Sequence, residues 1–256
     1  MKHMESKWWE RLYDELLAEM LLERADGAEV DETLAFLQKA LALTPGARVF
    51  DQCCGIGSLS IPLAQRGFRV SGCDLMPAYV ERAMRKASGL GLELDLVAAD
   101  AFEHVAVPTC DAAFNWWTSF GYATSDQQNA SMLAGAFSSL RPNARFALDF
   151  MNVPGVLRGF LPRVETRRNT RYGEVTLVRD SAVDLRAMAM TKRWSYRLPD
   201  GSLVEHDSWV RLYSPNELVS LVASVGFTDI ALYGGLKFEA LTLDSPRCIV
   251  VARRPA

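Results

Sequence analysis

No apolar stretch in the 256 residues approaches the roughly 18 that a membrane-spanning helix needs. The N-terminal stretch MKHMESKWWERLYDELLAEMLLERA is charged throughout and lacks the apolar segment and small-residue cleavage site of a signal peptide. Basic charge is not in excess: 28 Lys plus Arg stand against 31 Asp plus Glu, a formal net charge of -3, which disfavours a broad footprint for nucleic acid. A small or neutral partner fits better. The five cysteines form no CxxC pair; Cys53 and Cys54 are adjacent, and Cys73, Cys110 and Cys248 lie scattered in apolar runs, as expected of buried thiols in a reducing, cytoplasmic setting. Histidine is scarce, at three, so imidazole acid–base chemistry has few candidates. No internal repeat, low-complexity segment or long charge run is visible. What is present is apolar residue enough, at 49%, for the core of one large domain or two small ones.

Two helical patterns open the chain. Trp8, Leu12, Leu16, Met20 and Leu21 recur at helical spacing over 7–24, and a second helix is expected over about 30–43, ending at the TPG turn of 44–46. From Ala47 short apolar runs alternate with helices, the pattern of a parallel sheet covered on both faces. The runs are 47–51, 68–74, 92–100, 110–117 and 144–150, with helices expected near 58–66, 77–89 and 126–140. The first three end in Asp51, Asp74 and Asp100. Ligands of open α/β sheets bind outside the carboxyl ends of the strands, so three acids at three such ends describe a site. After Asn152 the period becomes two: strands are expected at 173–183, 186–198 and 203–213, with a tight Asp200-Gly201 turn between the last two. A helix at about 215–225 and strands at 228–234 and 247–253 complete the chain. The expected divisions are a helical cap (1–45), a core (46–152), an antiparallel insertion (153–213) and a return to the core (214–256).

The strand-loop-helix VFDQCCGIGSLSIPLA, residues 49–64, is the strongest functional signal. Gly55 and Gly57 permit a tight turn, and the following helix aims free N–H groups at a ligand. A P-loop needs a lysine at the phosphates, and none occurs here before Arg66. A pyrophosphate would be repelled by Asp51, and the third glycine of a dinucleotide fingerprint is replaced by Ser60. S-adenosylmethionine carries no phosphate; its ammonium, sulfonium and ribose diol suit an acid-lined strand edge. Asp74 follows Asp51 by 23 residues, near the roughly 20 at which the next strand end meets ribose hydroxyls.

With DQCCGIG, GCDLMPAYVERA, AADAFEH and CDAAFNWWTSFGY in place, the sequence resembles the class I S-adenosylmethionine-dependent methyltransferases over about 45–150, and more weakly through RLYSPNELVSLVASVGF and DSPRCIVVARR. The resemblance implies an α/β, Rossmann-like fold: a mostly parallel seven-stranded sheet, N-terminal helices and an inserted antiparallel meander acting as a substrate lid. It also implies Asp51, Gly55 and Gly57 at the methionine part of the cofactor, Asp74 at the ribose with Leu75 beside the adenine, Asp100 with Ala101 at the adenine amino group, and Asn115 near the methionine segment. Cys53 replaces the first glycine of the family pattern. Tyr13 is the counterpart of an N-terminal tyrosine that closes over the cofactor in many relatives.

Methyl transfer from a sulfonium needs alignment and exclusion of water, with no metal or catalytic triad. Of the aromatics in NWWTSFGY, Trp116 and Phe120 are expected to wall the acceptor pocket, the others to be core. On the insertion, an Asp200-Gly201 turn sets Tyr196 opposite Glu205, Trp194 opposite Asp207 and Lys192 opposite Trp209, giving a strip in which Tyr196, Trp209 and Arg211 are substrate candidates; a solvated outer face accounts for it equally well. For a proton acceptor, Asp149 and His206 are the candidates, His3 lying in a frayed terminus. An amine entering neutral needs no base, so the scarcity of histidine slightly favours N-methylation over O-methylation. A small-molecule acceptor, a metabolite or natural-product intermediate, is therefore expected, with no nucleic acid or membrane as partner; edge strands and an exposed meander allow a homodimer. The alternatives are an RNA or protein methyltransferase, for which RVETRRNTR at 163–171 is the only basic cluster, and a module that binds the cofactor without turnover.

Overall fold

Five apolar runs pair side by side as parallel strands: β1 (Arg48–Gln52), β2 (Arg69–Asp74), β3 (Asp95–Ala98), β4 (Cys110–Asn115) and β5 (Leu140–Phe150). The computed structural model describes residues 7–23 and 27–256. Two late strands, β10 (Thr228–Tyr233) and β11 (Cys248–Arg253), join antiparallel, giving seven strands in the order β10-β11-β5-β4-β1-β2-β3. Because the chain leaves β1 for β2 and β3 on one side and returns to β4 on the other, the crevice between β1 and β4 is a topological switch point, where open α/β sheets bind ligands.

Both faces of this sheet are buried, which is why its strands read as unbroken apolar runs. Along β4, Ala113 faces one core with Met132, Leu133 and Ala136 of α6 (Asp126–Ser139), while Ala112 and Phe114 face the other with Leu34, Phe36 and Leu37 of α3 (Gly27–Ala40). The second layer also takes α4 (Ser60–Gln65) and α5 (Pro77–Gly89); α8 (Pro215–Ser224), opened by a Ser214–Glu217 capping box, joins the first.

Three expectations are corrected. The N-terminal stripe is not one helix: it forms α1 (Trp9–Leu12) and α2 (Glu15–Leu17), the latter continuing as a π-helical turn over Ala18–Leu22. The chain breaks at Tyr13, and the Asp14 carboxylate accepts the Leu17 N–H at 2.8 Å to restart it. His3 lies outside the described residues. The insertion has four strands, not three, in the order β6 (Arg163–Thr170), β7 (Gly173–Asp184), β8 (Ala189–Arg197) and β9 (Leu203–Arg211), preceded by α7 (Val153–Arg158). Strand β6 was illegible because RVETRRNT has a single apolar residue: this edge strand is held by β7 on one side and by ion pairs.

The third correction is one of register. Trp194 lies opposite His206, Lys192 opposite Ser208, and Tyr196 opposite Val204, one residue off the expected pairing. Leu198 through Gly201 form an i to i+3 turn with Gly201 at φ +85°, a three-residue loop with a glycine bulge in place of the two-residue turn. One extra loop residue shifts every pairing and changes which β9 side chains share the inner face.

Candidate active site

The loop that follows β1 turns through three left-handed residues, Cys53 (φ +67°), Gly55 (φ +54°) and Gly57 (φ +79°). Cys53 therefore adopts the conformation that favours glycine, and the turn keeps its shape despite the substitution. A Cβ at Gly57 would press on Ala83 at 3.0 Å and Ile61 at 3.1 Å, so this glycine lets the loop sit against α4 and α5. Gly55 donates its N–H to Asp74 Oδ2 at 2.8 Å, and Met76 N–H donates to Asp74 Oδ1 at 3.0 Å. Burial raises the Asp74 carboxyl above its ordinary range, although both backbone bonds pull the other way.

Two cavities open at these strand ends. The narrower, about 70 Å³, is lined by Asp74, Leu75, Asp100, Ala101 and Phe102 and roofed by Trp9. Asp100 is tied to Phe102 N–H at 2.9 Å. The wider, about 410 Å³, lies between the β1 loop, the β4 loop, the N-terminal segment and the insertion. Tyr13, Cys53, Ser119 and Tyr122 line both. The two spaces thus meet at one point, where the Tyr13 and Tyr122 hydroxyls are hydrogen-bonded to each other.

Of the residues expected at the site, Tyr13, Cys53, Gly55, Asp74, Leu75, Asp100 and Ala101 line these cavities, and Trp116 and Trp209 line the wider one. Asp51 lies behind the loop, 4% exposed, accepting the Ser60 hydroxyl at 2.6 Å; burial pushes its carboxyl up to about 7. Asn115 is buried beside it, donating to Gln52 at 3.3 Å. These two, with Gly57, support the loop from beneath.

The remaining candidates lie outside the lining of both cavities. Phe120 is fully buried against Phe150 and Tyr213, and Tyr196 of β8 is buried with its ring 6.2 Å from His206. Arg211 reaches Glu217 at 3.0 Å and the Met188 carbonyl at 3.1 Å, holding the end of β9 to α8. Neither base candidate lines the wider cavity: Asp149 accepts Arg247 at 2.6 Å and the Trp117 N–H at 3.0 Å, and His206 sits 3.5 Å from Asp14. The lining also includes Lys192 and Trp194, which the sequence already placed on that strip, and Ser208, which the shifted register hid.

Residues 49–143 match the family model of the methyltransferase domain. Over those residues the chain is similar to a methyltransferase domain. Over 128 residues it is 35% identical to the S-adenosyl-L-methionine-dependent Diels-Alderase iccD of Talaromyces variabilis, covering 46% of this chain and 42% of that one; the chain thus spans less than half the length of this curated relative. The fold extends further than the sequence match. A solved S-adenosylmethionine-dependent methyltransferase from Clostridium acetobutylicum superposes with a TM-score of 0.78 at 13% identity, covering 97% of this chain and all of that one. An amino pentose methyltransferase from Micromonospora echinaspora, solved with S-adenosylmethionine bound, does so at 0.68 and 19%, covering 99% of both. The inserted meander and the N-terminal helices of this chain lie inside that shared fold.

S-adenosylmethionine is bound in the amino pentose methyltransferase structure, and the donor set here suits it. Asp74 spends one lone pair of each oxygen on backbone N–H groups and stands in a cavity wall, where a ribose diol would supply two more donors. Leu75 and Phe102 offer an adenine apolar surface, and Asp100 an acceptor for its amino group. Among the described residues no group of three His, Cys, Asp or Glu side chains is arranged to hold a metal ion, and no helix is long and apolar enough to cross a membrane.

Proposed function

We propose that this chain is an S-adenosylmethionine-dependent methyltransferase acting on a small molecule held in the wider cavity. The observation that carries the reading is the meeting of the two cavities at Tyr13, Cys53, Ser119 and Tyr122, over the carboxyl ends of β1 and β4. Bound at the narrower cavity, the cofactor supplies an electrophilic methyl group whose in-line displacement needs an aligned nucleophile and little water. Asp74, Leu75, Asp100, Ala101 and Phe102 would hold its adenosine, and Tyr13 with the Cys53–Gly55 loop its methionine part. Asp51 and Asn115 would position that loop from behind.

The acceptor space suits a compact, largely apolar molecule: Trp8, Trp116, Trp117, Trp194 and Trp209 supply most of its aromatic wall. Its described lining contains no carboxylate and no imidazole, which supports a nucleophile needing no base, and nitrogen ahead of a neutral hydroxyl. An RNA acceptor is disfavoured because the arginines of 163–171 are engaged: Arg163 with Asp180, Arg167 with Glu165, Arg168 with the carbonyls of Met20 and Glu23, and Arg171 with Glu19.

A second reading has the cofactor act without giving up its methyl group; the lack of a carboxylate or imidazole in the described lining and the similarity to a Diels-Alderase favour it. Incubation with methyl-labelled cofactor and a metabolite extract separates the two. Label should appear in small molecules with the wild type and not with Gly55→Arg. Unlabelled products whose formation still requires the cofactor would establish the second reading instead.

A further inference from the structure

Lys192 is the charged side chain in the described wall of the wider cavity, and no described carboxylate pairs with it. It belongs to β8, where its neighbours across the ladder are Ser181 and Ser208. Its ammonium stands 5.8 Å from the centre of the Trp194 ring, and the Arg179 guanidinium stands 5.8 Å from the same ring. Arg179 has a buried Nε with no hydrogen-bond partner among the described groups. The inner face of the insertion therefore presents two cations beside one indole, and among the described residues neither is in an ion pair. Burial, reinforced by Arg179, pulls the Lys192 ammonium below its ordinary range.

A cation held at that disadvantage in an aromatic wall has a use if the incoming molecule brings the missing charge. Ser208 adds a second group: its hydroxyl oxygen accepts Trp194 Nε1 at 2.8 Å, leaving its own proton free for an acceptor in the same cavity wall. We infer that the acceptor is an apolar or aromatic molecule carrying an acidic oxygen group, bound as an anion between Lys192 and Ser208. This rests on the functional reading above and specifies its substrate class. Lys192 lines the wider cavity and not the cofactor-side one, so it anchors the far end of the acceptor and is not a base at the reacting atom. A cationic acceptor would meet Lys192 and be repelled.

The test uses a matched pair of probes of the same shape, naphthalene-2-carboxylate and the neutral naphthalene-2-carboxamide, titrated into the full chain in the presence of S-adenosylhomocysteine and read by tryptophan fluorescence. The carboxylate should bind about tenfold or more tightly than the amide, as a charge-assisted hydrogen bond provides. Lys192→Met should abolish the difference and Lys192→Arg should keep most of it, thermal melting reporting that each variant is folded. Equal wild-type affinities, no carboxylate binding, or a preference that survives in Lys192→Met overturns the inference. Calorimetry with S-adenosylhomocysteine on the same samples tests the underlying reading separately: absent heat defeats that reading, whereas equal probe affinities in a protein that binds it defeat the anion site alone.

Discussion

The hydroxyl groups of Tyr13 and Tyr122 lie 2.5 Å apart, joining the break in the N-terminal helix to the loop after β4. Both phenols are pushed above their ordinary range, by burial first. They are each other's hydrogen-bond partner at the point where the narrower and wider cavities meet. Replacing either by phenylalanine removes this bond and leaves the other hydroxyl facing the cavities, at about 0.5–1.5 kcal/mol. The double variant should cost less than the sum of the singles, since neither orphan then remains. Urea unfolding of the four proteins checks this; additive losses would mean that the pair does not couple the two segments. S-adenosylhomocysteine affinity should fall several-fold in Tyr13→Phe.

Asp51 gives the protein a defined pH dependence. Its folded carboxyl titrates near 7, against about 3.9 in the unfolded chain, so the folded state holds the proton more tightly between those values. Stability attributable to Asp51 is therefore greatest below about pH 4, declines as pH rises toward 7, and is level above it. Asp51→Asn removes that slope. The melting temperature of the variant relative to the wild type should climb between pH 4 and pH 7; a pH-independent gap would show that Asp51 is ionised throughout.

Cys53 occupies a left-handed conformation at φ +67°. Glycine there relieves about 1–2 kcal/mol of steric cost and returns about 0.5–1 kcal/mol as chain entropy, besides losing the contacts of the thiol. Cys53→Gly should change stability little. Cys53→Val should lose at least about 1–2 kcal/mol, because a β-branched side chain is a rare occupant of this region. Chemical denaturation of both variants decides it, and a valine as stable as the glycine would exclude a left-handed loop.

Asp149, 1% exposed and bonded to Arg247, should prove structural. Asp149→Asn keeps an acceptor for Trp117 N–H but removes the charge opposite Arg247. A loss of about 1–3 kcal/mol is expected, below the cost of a fully buried pair because Arg247 is partly exposed. Turnover by the folded variant, measured as label transfer at saturating cofactor, should stay within a few-fold. A hundredfold loss without destabilisation would restore Asp149 as a proton acceptor.

The legible part of the site is the part built from consecutive residues. Asp74 and Asp100 could be placed because each ends an apolar run, and a parallel strand that ends in an acid can only present it at the carboxyl edge of the sheet. The loop glycines were legible for the same reason. Asp51, read from the same pattern, ends at the same edge, but its side chain turns back to Ser60, a bond that depends on how α4 packs. Phe120 and Trp116 were indistinguishable in NWWTSFGY; only the packing of Phe150 and Tyr213 against the former assigns it to the core.

Strand and helix periodicity, the acids at strand tips and the left-handed loop were determined by the sequence alone, because each is a local property of backbone sterics and of apolar spacing along a few residues. The wall of the wider cavity was decided only by the tertiary structure. A single glycine bulge at Gly201 sets which β9 side chains lie beside Lys192 on the inner face, and the break at Tyr13 sets which aromatic groups roof the cofactor side. Those choices depend on contacts between segments more than 100 residues apart, such as Tyr13 with Tyr122, whose free energy no local pattern records.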